Sequence, residues 1–292
     1  MTSELFAIVA PVFLLAALGY VWVRMKQPFD AVFASALVIN LGTPFLTFSS
    51  LTRLHLKPLE FLQIAGSAGA VLATVGLMSV AVLKLMKLPL PDYLPALMFG
   101  NSGNMGLPLS LFAFGDHGLA LAVGYFAATS MVNMTFGQWI ASRKPAGRLL
   151  LRSPVVYGVL ASLAFMLTET PVPRWLDNTA YLLGGFTIPP MLLMLGVSIA
   201  QLRITMAHRA VLMALLRLGL GFAAGWVTAW ALGLEGAARG VAILQATMPV
   251  GVVNYVFARQ YGNDHETVAG AVIVSTLLSF AILPPLLLYL LP

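Results

Sequence analysis

Two uncharged polar tracts interrupt apolar stretches of membrane length, and they lie about half a chain apart. The first is Gly100-Asn101-Ser102-Gly103-Asn104-Met105-Gly106-Leu107-Pro108, the second Gln245-Ala246-Thr247-Met248-Pro249-Val250-Gly251-Val252-Val253-Asn254. Hydrocarbon offers no hydrogen-bond partners, so helix-breaking residues at membrane depth persist only where protein or a wet cavity satisfies the groups they free. Two breaks in corresponding places are the sequence signature of a transport site built from discontinuous helices.

Composition fixes the class of protein. Charged residues make up 9% of the chain and hydrophobic ones 60%, against a charged share of about 25% in soluble domains. The apolar runs recur at lengths of about 20 residues, which separates them from one signal-peptide core and makes the chain an integral membrane protein in a lipid bilayer. The net charge of +6 sits in short loops and not in a basic patch with interleaved aromatics, which argues against nucleic acid. The absence of cysteine removes disulfides, thiolate metal sites and thiol nucleophiles. His55, His117, His208 and His265 fall in expected loops or span ends with no metal-ligand spacing, so neither metal nor cofactor is expected.

Apolar runs between charges predict ten transmembrane helices: 3–23, 30–52, 59–84, 93–115, 118–141, 153–168, 175–201, 208–233, 236–258 and 265–291. The offset that lays Pro44 on Pro189 also lays Gly106 on Gly251, Phe112 on Phe257, Ala113 on Ala258 and Ser130 on Ser275. This suggests a duplicated five-helix unit, 1–142 and 153–292, joined by a linker at 143–152. Five is odd, so the second unit must cross the membrane in the opposite sense, making the repeat inverted. Loops after odd-numbered helices carry Arg24, Lys26, Lys84, Lys87, Arg143, Lys144, Arg148, Arg152, Arg203, Arg209 and Arg259, whereas the other side has Arg53, Lys57, Arg174 and Arg239. The positive-inside rule then puts the linker in the cytoplasm and both termini outside, in a plasma membrane.

In the first tract the glycines and Pro108 weaken the helix, while Asn101, Ser102 and Asn104 are residue types that cap freed helix starts. In the second, Pro249 removes a donor and clashes with the preceding turn, with Thr247 and Asn254 placed to compensate. Pro44 and Pro189 mark a matched pair of further expected breaks. Half-helix starts present free N–H groups and about +0.5 charge each, so crossed breaks suit a small carboxylate without a cationic side chain. Asn40, Thr43, Tyr125, Ser130 and Asn133 are further candidates for a cavity wall, although interhelical hydrogen bonding explains them equally well. Arg217 is the one ionisable residue clearly inside a span, and it is expected to snorkel toward the cytoplasmic face beside Arg209.

At Asn101-Ser102, at Met105-Gly106-Leu107-Pro108-Leu109, and at Leu244 to Val253 continuing into Val256-Phe257-Ala258-Arg259-Gln260-Tyr261, the chain resembles the auxin efflux carrier family. That family includes plant PIN exporters and bacterial permeases for malate- or malonate-like acids. Gly100 and Asn254 stand where the plant pattern has prolines, and the long central loop is missing, as in the bacterial branch. The resemblance implies that Asn101 meets the substrate carboxylate and that Thr47, after the second-helix proline, lies near it. It also implies a scaffold of helices 1, 2, 6 and 7, a transport domain of helices 3–5 and 8–10, elevator-type alternating access and a homodimer through the scaffold.

The expected activity is therefore secondary transport of small organic anions, with Asn101, Ser102, Asn104, Thr47, Gln245, Thr247 and Asn254 as the expected substrate-binding residues. A sodium-coupled carrier of the bile-acid symporter type is the nearest alternative, but no Asp or Glu lies near either break. A passive anion channel is a further alternative. An intramembrane enzyme would need a His, Asp, Glu or Ser–Lys constellation at membrane depth, and the sequence offers none.

Overall fold

The computed structural model describes residues 2–53, 58–144 and 153–291. His55, Lys57, Arg148, Arg152 and the linker residues 145–152 fall outside them. Helix α1 is Thr2–Arg24; α2 (Ala31–Leu37) runs through a π-turn, Val38–Gly42, into α3 (Thr43–Arg53); α4 is Pro58–Leu85. Helix α5 (Leu90–Met98) ends before a second π-turn, Ser102–Gly106, which leads into α6 (Leu107–Val132); a third, Asn133–Gly137, joins α6 to α7 (Gln138–Ser142). The remainder is α8 (Pro154–Leu167), α9 (Arg174–Gln201), α10 (Ala207–Ala231), α11 (Gly236–Ala246), α12 (Val252–Tyr261) and α13 (His265–Leu290).

Among the described residues, seven helical stretches are long and apolar enough to cross a membrane: Leu5–Arg24, Ala31–Arg53, Pro58–Leu85, Ser102–Ser142, Arg174–Gln201, Ala207–Ala231 and His265–Leu290. Large apolar side chains such as Val32, Leu77, Leu85 and Trp230 stand exposed on the outside, a surface that only lipid tails or another apolar face can cover. The chain is a multi-pass α-helical membrane protein. The other expected segments are short or interrupted: α8 has 14 residues, and the expected fourth and ninth helices are each split in two. The stretch Ser102–Ser142 holds parts of two expected helices, because Gly115 takes φ 66°, ψ −163° and bends the chain between them. A side chain at that φ would be strained.

Pro44 and Pro189 do not break helices as expected. Pro189 and Pro190 lie inside α9, which continues for 28 residues. Pro44 follows the π-turn inside one helical stretch, Ala31–Arg53, and the wider turn takes up its missing N–H without ending the helix. Membrane helices tolerate proline when neighbouring groups bond the freed carbonyls.

Close packing relies on glycine. Gly19 of α1 and Gly196 of α9 interlock so tightly that a Cβ on either would overlap the Leu193 or Ala16 carbonyl oxygen. Gly158 of α8 lies against the Pro44 carbonyl, which a Cβ would approach to 2.6 Å, and Gly184 of α9 against the Leu46 backbone. Arg53 adds a bidentate pair with Asp177, at 2.7 and 2.8 Å, that ties α3 to α9. These helices pack mainly on one another, while α10 packs on α4, α5, α11 and α13, and α6 on α4 and α11. Small residues serve here because lipid tails are as apolar as the helices, leaving close contact to drive association.

Candidate functional site

The two breaks meet. Helix α5 stops at Met98, and Gly100 pairs with Val250 in an isolated antiparallel bridge. Asn101 N donates to the Pro249 carbonyl at 2.7 Å, and Gly251 N donates to the Phe99 carbonyl at 3.2 Å. Backbone groups freed by one break are thus satisfied by the other, as a buried site requires. Asn254 Nδ2 also donates to the Phe99 oxygen, at 2.7 Å, and Val250 N donates to Ser275 Oγ at 3.0 Å. Gly100 leaves no room for a side chain: a Cβ there would overlap Arg217 Nη2 and stand 2.9 Å from the Met248 oxygen.

Arg217 does not snorkel. It is 2% exposed and its guanidinium reaches four carbonyl oxygens. Nη1 donates to Leu97 at 2.9 Å and Met98 at 3.4 Å, Nη2 to Ala246 at 2.9 Å and Nε to Met248 at 3.1 Å. The Leu97, Met98 and Ala246 carbonyls end α5 and α11, where the last turn of a helix has no intrahelical donors, and the Met248 carbonyl lies just past the end of α11. Satisfying them outweighs the gain from reaching the membrane surface.

A cavity of about 410 Å³ lies beside the junction. Of the residues expected to bind substrate, Asn101, Ser102, Asn104 and Gln245 line it, together with the break residues Gly103 and Gly251. Thr43, Tyr125, Ser130, Asn133 and Arg217 line it too. Thr47, Thr247 and Asn254 do not: the two threonine hydroxyls donate to Thr43 and Ile243 carbonyls one turn back, and the Asn254 amide braces the junction. Asn40, Pro44, Gly106, Pro108, Pro189 and Pro249 also lie off the cavity wall. Gly106 lets Gln245 approach, because a Cβ there would overlap its Oε1, and Gln245 Nε2 donates to Ser110 Oγ at 3.3 Å.

Among the described residues, Asn101, Asn133 and Gln245 line the cavity, and each holds a buried atom, Nδ2, Oδ1 and Oε1 respectively, with no hydrogen-bond partner. Asn101 stands at the N-cap position of the Ser102–Gly106 π-turn, yet its side chain makes no cap bond. Ser110, Ser275 and the four-carbonyl role of Arg217 went unread in the sequence. A lone arginine in mid-span was the signal available for the last of these, since such a residue needs a buried partner.

Residues 138–289, just over half of the chain, match the model of a family described as membrane transport protein. The chain belongs to that family. Relatives of this membrane transport protein include the uncharacterized transporter MJ1031 of Methanocaldococcus jannaschii, 21% identical over 64% of each chain. An uncharacterized transporter of Methanothermobacter thermautotrophicus is 27% identical over 94% of this chain and 95% of its own. The auxin efflux carrier component 1 of Arabidopsis thaliana is 31% identical over 49% of this chain and 24% of its own. The membrane transport protein described here thus spans well under two thirds of the plant carrier's length and 64% of the first relative's.

Proposed function

We propose that this membrane transporter carries small organic anions bearing a carboxylate, bound where the two breaks meet. The observation that carries the reading is that Asn101, a residue of the cavity wall, holds a buried amide nitrogen with no partner. An unsatisfied buried donor costs about 1–3 kcal/mol, which a carboxylate oxygen would recover with a charge-assisted bond. A volume of about 410 Å³ suits a small solute. Among the described residues, the cavity wall carries no Asp or Glu to repel an anion. The plant relative is an auxin efflux carrier component, which agrees with an organic-acid substrate.

In this reading α5 with the start of α6, and α11 with α12, are the fourth and ninth helices of two inverted repeats crossing at the bilayer midplane. Helices α1–α3, α8 and α9 form the scaffold, through which two copies pair, and the remaining helices move against it as an elevator. Ser153 and Val155, next to the central loop, line the cavity, so it faces the cytoplasm if that loop is cytoplasmic. Saturable binding of phenylacetate, malonate or L-malate to purified protein, with counterflow in proteoliposomes, is the expected result. No saturable carboxylate binding or flux would overturn the substrate reading.

Orientation has its own test, helped by the absence of cysteine. Lys144→Cys, an exposed position beside the linker, is expected to resist an impermeant thiol reagent on intact cells and to react once the membrane is opened. Labelling from outside would reverse the topology.

A further inference from the structure

Crossed helix ends alone give the junction no net charge. Each break places a helix end carrying about −0.5 beside a helix start carrying about +0.5, so two breaks sum to roughly zero. We infer that Arg217 is the fixed positive charge of the cavity, and that it acts by cancelling the two negative ends. Its guanidinium is bonded to Leu97 and Met98, which end α5, and to Ala246 and Met248 at the end of α11. One positive charge offsets about −1 there and leaves about +1 from the two helix starts facing the cavity.

Nothing on the cavity wall competes with this balance. Arg217 and Tyr125 are its only titratable residues among those described, and no carboxylate faces them there. The same bonds make Arg217 a positioning residue, since α10 holds both breaks through one side chain. A planar fork of donors can span four carbonyls; an ammonium cannot. The consequence for carboxylates rests on the reading proposed above, whereas the cavity charge does not, and it can be measured without a substrate.

Ser130 lines the cavity and is partly exposed, so Ser130→Cys supplies a single reporter thiol. The ratio of its reaction rates with the anionic sulfonatoethyl and the cationic trimethylammonioethyl methanethiosulfonates reports local potential, because thiol reactivity and access divide out. Arg217→Met is expected to lower that ratio roughly tenfold, the size of one charge acting over about 10 Å in a partly hydrated cavity. Arg217→Lys is expected to keep it within about threefold. A thiol at exposed Gln27 should show no change with either variant.

Both Arg217 variants are also expected to lower the thermal midpoint in detergent, because neither spans the four carbonyls. A folded Arg217→Met with an unchanged ratio overturns the charge assignment, and Arg217→Lys melting like the parent overturns the clamp. If the Met variant is not recovered folded, Arg217→Lys decides alone: a preserved ratio with a lowered midpoint supports both parts, and a collapsed ratio overturns the first. Should phenylacetate, malonate and L-malate all fail to bind while the ratio behaves as expected, the carboxylate reading fails and the charge assignment stands.

Discussion

Asn101→Asp is expected to abolish carboxylate binding to the purified protein, and Asn101→Ala to weaken it roughly 10- to 150-fold. The amide donor sits buried at the bridge between the breaks and bonds nothing in the protein, so its loss removes a contact with the anion and no contact within the fold. Aspartate fills nearly the same volume but sets a negative charge where a carboxylate oxygen should dock, turning attraction into repulsion. Asn133→Ala serves as comparison. Asn133 also lines the cavity, but it stands on the Asn133–Gly137 π-turn and not at the bridge between the breaks. Binding isotherms with phenylacetate, malonate and L-malate check the order, and equal small losses for Asn101→Ala and Asn133→Ala would remove Asn101 from the site.

The largest effect on stability is expected from Gly196→Val. Even a single Cβ at Gly196 overlaps the Ala16 carbonyl oxygen, so α1 and α9 must separate to admit a branched side chain. Backbone cannot swing aside as a side-chain tip can, so the cost should reach or exceed the 1–3 kcal/mol usual for overpacking, here about 3 kcal/mol. Gly185 lies on the same helix with nothing within 4 Å of a Cβ, so Gly185→Val controls for the residue change itself. Thermal unfolding in detergent should show Gly196→Val melting well below Gly185→Val. Coincident curves would mean that the two helices are not locked together.

The places where the helices fail were legible because glycine, proline and asparagine act locally: what they do to a turn depends little on the rest of the fold. Those signals located the splits at 99–101 and 247–251. Pro189 misled because its effect is not local, since a membrane helix carries a proline wherever neighbours bond the freed carbonyl. Asn254 has the same chemistry as Asn101, and only tertiary structure decides that one amide braces Phe99 while the other is left free. Arg217 was visible as an anomaly without an explanation. Its partners are backbone oxygens, which every residue type has, so the sequence carries no trace of them.

The bridge between Gly100 and Val250 is made by main-chain atoms alone. Exchanging the side chain of a bridging residue therefore leaves these bonds in place unless it changes volume, chiefly at Gly100, where any Cβ is obstructed; the side chains that brace the joint, Asn254, Ser275 and Arg217, come from outside the bridge. The joint is accordingly insulated from most heritable variation. Residues that line the cavity, such as Ser102, Asn104 and Ser130, lie outside the bridge itself, so the shape and polarity of the cavity can change while the frame that brings the two halves of the chain together stays intact.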